Sequence, residues 1–484
     1  MAEKIGFSRT QKQTMAVMFT VTIILTIGIF FLPWVNLPFG WGITPPYIPT
    51  ETPPDYPPPT PHDPFRGPRP GIPPNLLWET NLGGSEDEYI IAAFYIGNSI
   101  LLFGNSFSSD YDFYGKDPNG FSILLSIHGR PIQYNTLPGF IASVIHSDNG
   151  FLVATNTLQE SFVFKVNLRG EIIENHIINL RRENAQNEWV IYLYLDFFTM
   201  SNLYPFHAVM EILDPITQNR RFRIQKITPD FQKGAYHIFT QTNSMDFVTA
   251  FSHPSGFYLF ANSLAGNMQN PYSVLVYYNW TVDIPRNFII SPPIPSYTTD
   301  AVLPANHRGR YAVVVRCADG IAYLVDAQND FERHSVRELG QNVLETKTLS
   351  GGENIFYIFN QKDVREQPSA KLYRVCKNTL DILGEVNAFR NFTNLFTHTV
   401  IQCQITREKS TVFAGAREDN LVVLGLSPHG TVIFETEINL PYTTITKIIE
   451  TPHGLMVIGQ NGKVNDNIRG NFGGTDIWIG MVLI

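Results

Sequence analysis

The residues best suited to chemistry sit in one short acidic run. Asp110 and Asp112 alternate ahead of Gly115 and Asp117, and alternating carboxylates around a glycine turn point the same way around a hard cation such as calcium. The spacing departs from the D-x-[DN]-x-[DN]-G pattern, because Tyr114 stands where a ligand is expected. Asp110, Asp112 and Asp117 are therefore weak metal candidates. The competing readings are a solvated acidic rim and a site for a cationic or glycan partner. Asp87, Glu88 and Asp466 join the same rim if the loops that hold them open at one end of the fold, and that makes a candidate binding rim of six acids.

Other chemistry is poorly represented. There is no G-x-S-x-G, no H-E-x-x-H, no Walker loop, and no G-x-G-x-x-G after a strand. No residue is assigned a catalytic or cofactor-binding role, and no cofactor is expected beyond the calcium reading. The sequence leans away from an enzyme. His146, His253, His429 and His453 each stand in a turn followed closely by a glycine, where turn polarity accounts for them. Aromatic residues make up 13% of the chain, which suits either packing between sheets or a stacking surface for glycans. Cys317, Cys376 and Cys403 are isolated and odd in number, so they read as small buried hydrophobes rather than a disulfide framework or zinc cluster, although one bridge remains open.

The elements that must position these residues are strands. From Asn75 onward short runs rich in Ile, Val, Phe and Tyr alternate with Gly, Asn, Asp and Pro, an all-β pattern. One unit recurs: a half-buried strand, a turn, a strongly apolar strand, a loop, a third apolar strand, a tight turn and a fourth strand of alternating polarity. The clearest copy runs from Phe140 to Ile177, and the poorest lies between Glu188 and Ile227. Eight such units predict an eight-bladed β-propeller over residues 75–484, with a seven-bladed ring as the alternative. The last unit stops after its third strand, while Trp78–Leu82 has the character of a fourth, so strand 76–82 is expected to close the last blade.

Several phrases carry a family resemblance: Trp78, Leu82-Gly83-Gly84-Ser85, Gly104-Asn105-Ser106, and Gly473-Gly474-Thr475-Asp476-Ile477-Trp478. In these the chain resembles bacterial and archaeal beta-propeller repeat proteins, most clearly in the first and last units. The resemblance implies the fold and an envelope setting, and no single activity.

Ahead of the strands the chain changes character. Gln13 to Thr50 contains no charged residue, and Thr14 to Val35 is an apolar run of helix length for the ~30 Å hydrocarbon core of a bilayer. Lys4, Arg9 and Lys12 precede it and no Lys or Arg follows until Arg66, so residues 1–12 are expected in the cytoplasm and the rest outside. A cleaved signal peptide is the rival reading, with a shorter apolar region and small residues at its end. Of 33 prolines, 16 fall from Pro33 to Pro74, which makes residues 36–74 an extended stalk. The expected organisation is a cytoplasmic stretch 1–12, a transmembrane signal-anchor helix 13–35, a Pro-rich linker 36–74 and the propeller. A single-pass cell-membrane protein with an extracytoplasmic propeller is expected. A net charge of −8 without a basic run argues against nucleic acid. The functional expectation is a binding or scaffolding module for a protein or glycan partner. The alternatives are a glycan-cleaving or lyase-type envelope enzyme and an envelope assembly factor that works through a strand edge.

Overall fold

The computed structural model describes residues 76–109, 119–147, 149–156, 160–180, 189–197, 206–213, 220–228, 230–239, 244–253, 256–264, 272–279, 285–290, 296–302, 311–317, 320–327, 334–351, 355–362, 369–402, 409–418, 420–440, 443–462 and 475–483. The expected membrane segment and stalk lie outside them. Among the described residues no helix is long and apolar enough to cross a membrane.

The strands in chain order are β1 (Leu76–Leu82), β2 (Glu88–Ile96), β3 (Ser99–Ser106), β4 (Asn119–Ser126), β5 (Pro131–Leu137), β6 (Phe140–Ser147), β7 (Gly150–Asn156), β8 (Ser161–Val166), β9 (Ile172–Asn179), β10 (Trp189–Phe197) and β11 (Phe206–Leu213). They continue with β12 (Arg220–Ile227), β13 (Lys233–Phe239), β14 (Ser244–His253), β15 (Gly256–Leu264), β16 (Tyr272–Asn279), β17 (Pro285–Ile290), β18 (Ser296–Val302), β19 (Tyr311–Cys317), β20 (Ala322–Ala327), β21 (His334–Gly340) and β22 (Val343–Ser350). The last are β23 (Ile355–Lys362), β24 (Ser369–Cys376), β25 (Ile382–Val386), β26 (Asn394–Gln402), β27 (Lys409–Arg417), β28 (Asn420–Leu426), β29 (Val432–Ile438), β30 (Thr443–Thr451), β31 (Gly454–Asn461) and β32 (Asp476–Val482).

Among the described residues these strands form eight four-stranded antiparallel sheets. Seven are consecutive meanders, from β2–β5 to β26–β29, and the eighth has the order β1-β32-β31-β30. Thus β1 pairs with β32, from Leu76 opposite Val482 to Leu82 opposite Ile477. The first strands contact one another in sequence, β2 with β6, β6 with β10 and onward to β26 with β30, and β30 returns to contact β2.

Period-two burial explains why sheets stack. In β3 every residue is buried. Ile100 and Leu102 pack against Met456, Ile458, Ile477 and Ile479 of the eighth sheet. Leu101 and Phe103 pack against Phe151, Val153 and Phe164 of the next sheet. A strand covered on both faces reads as an unbroken apolar run, whereas first and fourth strands alternate. In β31, Leu455 and Val457 face sheet seven, while Met456 and Ile458 face sheet one.

Each first strand carries one register shift in its N-terminal half: Ile90/Ala92, Ile141/Ser143, Val190/Tyr192, Phe247/Thr249, Thr298/Asp300, Val343/Glu345, Leu395/Thr397 and Ile445/Lys447. A bulge bends the strand and raises its twist, which suits strands crowded side by side. Opposite three of these bulges stands glycine: Gly104, Gly415 and Gly459. A Cβ there would overlap or crowd the carbonyl oxygens of Tyr89, Asn394 and Thr444 respectively.

At the other end of the sheets four third-to-fourth strand turns share one construction. The side-chain oxygens of Ser126, Asn167, Thr228 and Ser427 accept the N–H four residues on. Their own carbonyls accept the N–H three residues on, from Gly129, Gly170, Phe231 and Gly430, whose φ lies between 64° and 84°. These turns lean on the preceding sheet. Ser122 donates to the Gly170 carbonyl at 2.7 Å, Gln133 donates to Glu171 at 2.7 Å, and Arg374 donates to the His429 carbonyl.

The poorly matching stretch after Glu188 forms a full sheet, β10–β13. Its pattern is obscured because buried positions hold polar residues. Arg223 is 1% exposed and donates to the Leu180 carbonyl, and His207 is equally enclosed.

Candidate functional site

Strand direction gathers one set of residues. β1 and β31 end, and β2, β6, β30 and β32 begin, at the same end of the sheets as the C-terminus of β3. There the junction of sheets eight, one and two forms a shelf around Glu88.

Glu88 is wholly buried. Its carboxylate accepts the Gly84 N–H at 3.0 Å and the Ser106 hydroxyl at 2.9 Å. The Ser108 N–H donates back to the Ser106 oxygen at 3.1 Å. Burial is the dominant influence on its titration and pushes the carboxyl up to about 7, against the partial relief of these donors. The Glu88 N–H donates to the Thr475 carbonyl at 2.6 Å, and the Thr475 N–H donates to Asp87 Oδ1 at 2.7 Å. This reciprocal pair ties sheet one to sheet eight. The Thr475 N–H, above all, holds the Asp87 carboxyl below its ordinary range, and the Tyr89 hydroxyl donates to Asp87 Oδ2 at 3.0 Å. Buried Asp476 lies against the backbone of Gly83, where a Cβ would overlap its carboxylate.

The same network fixes an aromatic shelf. The Phe107 N–H donates to the Asp87 carbonyl at 3.0 Å, and the Glu86 N–H donates to Ser108 Oγ at 2.9 Å. Phe107 is nevertheless 45% exposed. Its ring stacks on Phe140 at 4.8 Å with 23° between planes, and meets Tyr89 edge-on at 6.1 Å. Asn105 holds Phe140 in place from sheet one: its amide donates to the Ile141 carbonyl at 2.9 Å and its Oδ1 accepts the Ile141 N–H at 2.6 Å.

Of the six acids expected on a rim, Asp87 and Glu88 are therefore brought together at the sheet junction, Asp87 half-buried and Glu88 enclosed. Asp110, Asp112, Asp117 and Asp466 lie outside the described residues. Among the described residues there is no group of three or more His, Cys, Asp or Glu placed to hold a metal ion. Of the histidines expected in turns, His429 and His453 lie in turns, while His146 and His253 fall at the C-terminal ends of β6 and β14. His146 meets Phe151 edge-on, His429 and His453 are exposed, and the His253 side chain is outside the description. His398, which composition did not single out, is held neutral by burial, its pKa lowered to about 4. Cys376 is a free thiol; the Cys317 side chain and Cys403 lie outside the described residues. The reading of the sequence missed Phe107. Its signal was an aromatic amid polar residues, Gly104-Asn-Ser-Phe107-Ser-Ser109, just past the strand.

Stacked four-stranded antiparallel meanders whose first strands touch in a cycle are the architecture of the β-propeller class. No protein-family model matches the chain, and no curated protein does. Solved structures of similar backbone include Saccharomyces cerevisiae Sqt1, at 10% identity over 84% of this chain and 98% of that one, with a TM-score of 0.49. Moraxella catarrhalis BamB matches at 9% identity over 83% of this chain and 100% of that one, TM-score 0.43. The Dos1 propeller matches at 11% identity over 83% and 94%, TM-score 0.40. These are likenesses of fold alone.

Proposed function

We propose that this chain is a membrane-anchored, outward-facing eight-bladed propeller that binds a protein partner on the shelf where sheets eight, one and two meet. The observation that carries the reading is Phe107, an exposed aromatic ring held by a buried hydrogen-bond network. Exposed aromatics fixed on a rigid frame supply contact area at low entropic cost. The charge-free run from Gln13 to Thr50, with Lys4, Arg9 and Lys12 before it, supports the anchor, and the prolines from Pro33 to Pro74 support a spacer between anchor and propeller.

One observation favours a second reading, an assembly factor that holds proteins by a strand edge. Leu77, Ile132, Ile177, Tyr236, Ile382, Leu383 and Val432 are exposed apolar residues, and all lie on outermost strands. Unpaired outer edges with apolar side chains accept added strands.

Chemical cross-linking in intact cells, followed by identification of what is joined to the chain, tests the proposal. A recurrent protein partner is expected. Recovery of lipid and wall polymer alone, together with hydrolysis of a glycan panel by the purified chain, would overturn it in favour of the enzyme.

A further inference from the structure

Resting on that reading, the shelf also specifies its partner's chemistry. Phe140 stacks on one face of the Phe107 ring and Tyr89 lies at right angles to it, yet 45% of the residue remains open to solvent. Two acidic residues are tied to this segment through their backbones. Glu86 is exposed, and its N–H is bound to the residue following Phe107; Asp87 is half-exposed, and its carbonyl accepts the Phe107 N–H. Between Arg69 and Lys116 the chain carries no Lys or Arg, so nothing within this segment neutralises them. Asp87 stays ionised because Thr475 donates to it. An exposed ring whose backbone-tied neighbours Glu86 and Asp87 are acidic complements a flat cation. A guanidinium stacks on an aromatic face and offers two parallel N–H groups to a carboxylate, which an ammonium does not.

We propose that the shelf of Phe107, Tyr89, Phe140, Glu86 and Asp87 binds an arginine presented by a protein segment, with the guanidinium stacked on Phe107 and paired to Glu86. The buried Glu88 network positions the shelf and does not touch the partner.

The test is titration of the detergent-solubilised full chain with fluorescent nona-arginine and nona-lysine peptides, against Phe107→Leu and Glu86→Gln. Nona-arginine is expected to bind saturably and more tightly than nona-lysine. Phe107→Leu, which keeps apolar bulk and removes the π face, is expected to weaken nona-arginine about three- to tenfold. Glu86→Gln is expected to weaken it less and to lower its salt dependence. Equal affinity for both peptides with no effect of Phe107→Leu would reduce the binding to diffuse charge and overturn the proposal. Saturable binding of neutral glycans, lost in Phe107→Leu, would overturn it in favour of a sugar shelf. If the proposal falls while intact-cell cross-linking still recovers a protein, the binding-module reading stands.

Discussion

Among single residues, Glu88 has the most distinctive chemistry. Its carboxyl is buried with no cationic partner among the described residues and pushed up to about 7, so the folded state holds a proton that the unfolded chain releases near 4.5. With the folded value raised, the folded state binds more protons between those limits, and Glu88's contribution to stability falls as pH rises from about 4.5 to about 7. His207 and His398, both depressed by burial, act in the opposite sense as pH rises toward 6.5, so the test is a difference. Denaturant unfolding of wild type and Glu88→Gln should show the variant gaining on wild type between pH 4.5 and 8, by on the order of 2–3 kcal/mol. A pH-independent difference would contradict the raised titration of the buried carboxyl. Asp87 and Glu88 were legible as candidate rim acids, and Glu86 was not among them. That Glu88 turns inward was not legible, because Ser106, which donates to its carboxylate, and Thr475, whose carbonyl accepts its N–H, lie on chain segments distant from it in sequence.

The recurring elements are a bulged first strand and a capped turn, and they were legible to different degrees. The runs of Ile, Val and Phe in second and third strands announce burial on both faces, as in β3 and β32. Glycine opposite a bulge is written in the sequence as Phe103-Gly104, Ala414-Gly415 and Ile458-Gly459, but its cause, a neighbouring carbonyl, appears only once the strands are paired. Gly415→Ala and Gly459→Ala should each cost about 1–3 kcal/mol through overpacking, read as a lower denaturation midpoint. An unchanged midpoint would show that the bulge relaxes freely. The turns offer a gentler perturbation. Ser427→Ala removes the acceptor for the Thr431 N–H and should cost about 0.5–1.5 kcal/mol. The sheet β10–β13 was the least legible element, since Arg223 and His207 occupy buried positions where an apolar residue would have completed the period.

Across the whole molecule, closure and the proposed binding shelf fall at one junction. β1 covers the edge of β32, Trp478 donates to Glu79 at 3.0 Å, and Trp78 packs on Gly129 of the adjoining sheet. Removing residues 76–82 from the full chain should expose the β32 edge and produce self-association visible by light scattering, whereas a monodisperse product would show that β1 is dispensable. The likeness of Trp78–Leu82 to a fourth strand could be read from the chain alone, because both ends of the closure keep the repeat's alternation. The binding shelf could not, because Tyr89, Phe107 and Phe140 converge only through pairing. Site-specific photo-cross-linking decides whether this shelf receives a protein partner. A photoreactive phenylalanine analogue would be placed at position 107, or at position 432 on the outer edge, in the full chain in intact cells. The expected result is a discrete protein adduct from position 107 that is absent from position 432; adducts from 432 with none from 107 would contradict the account.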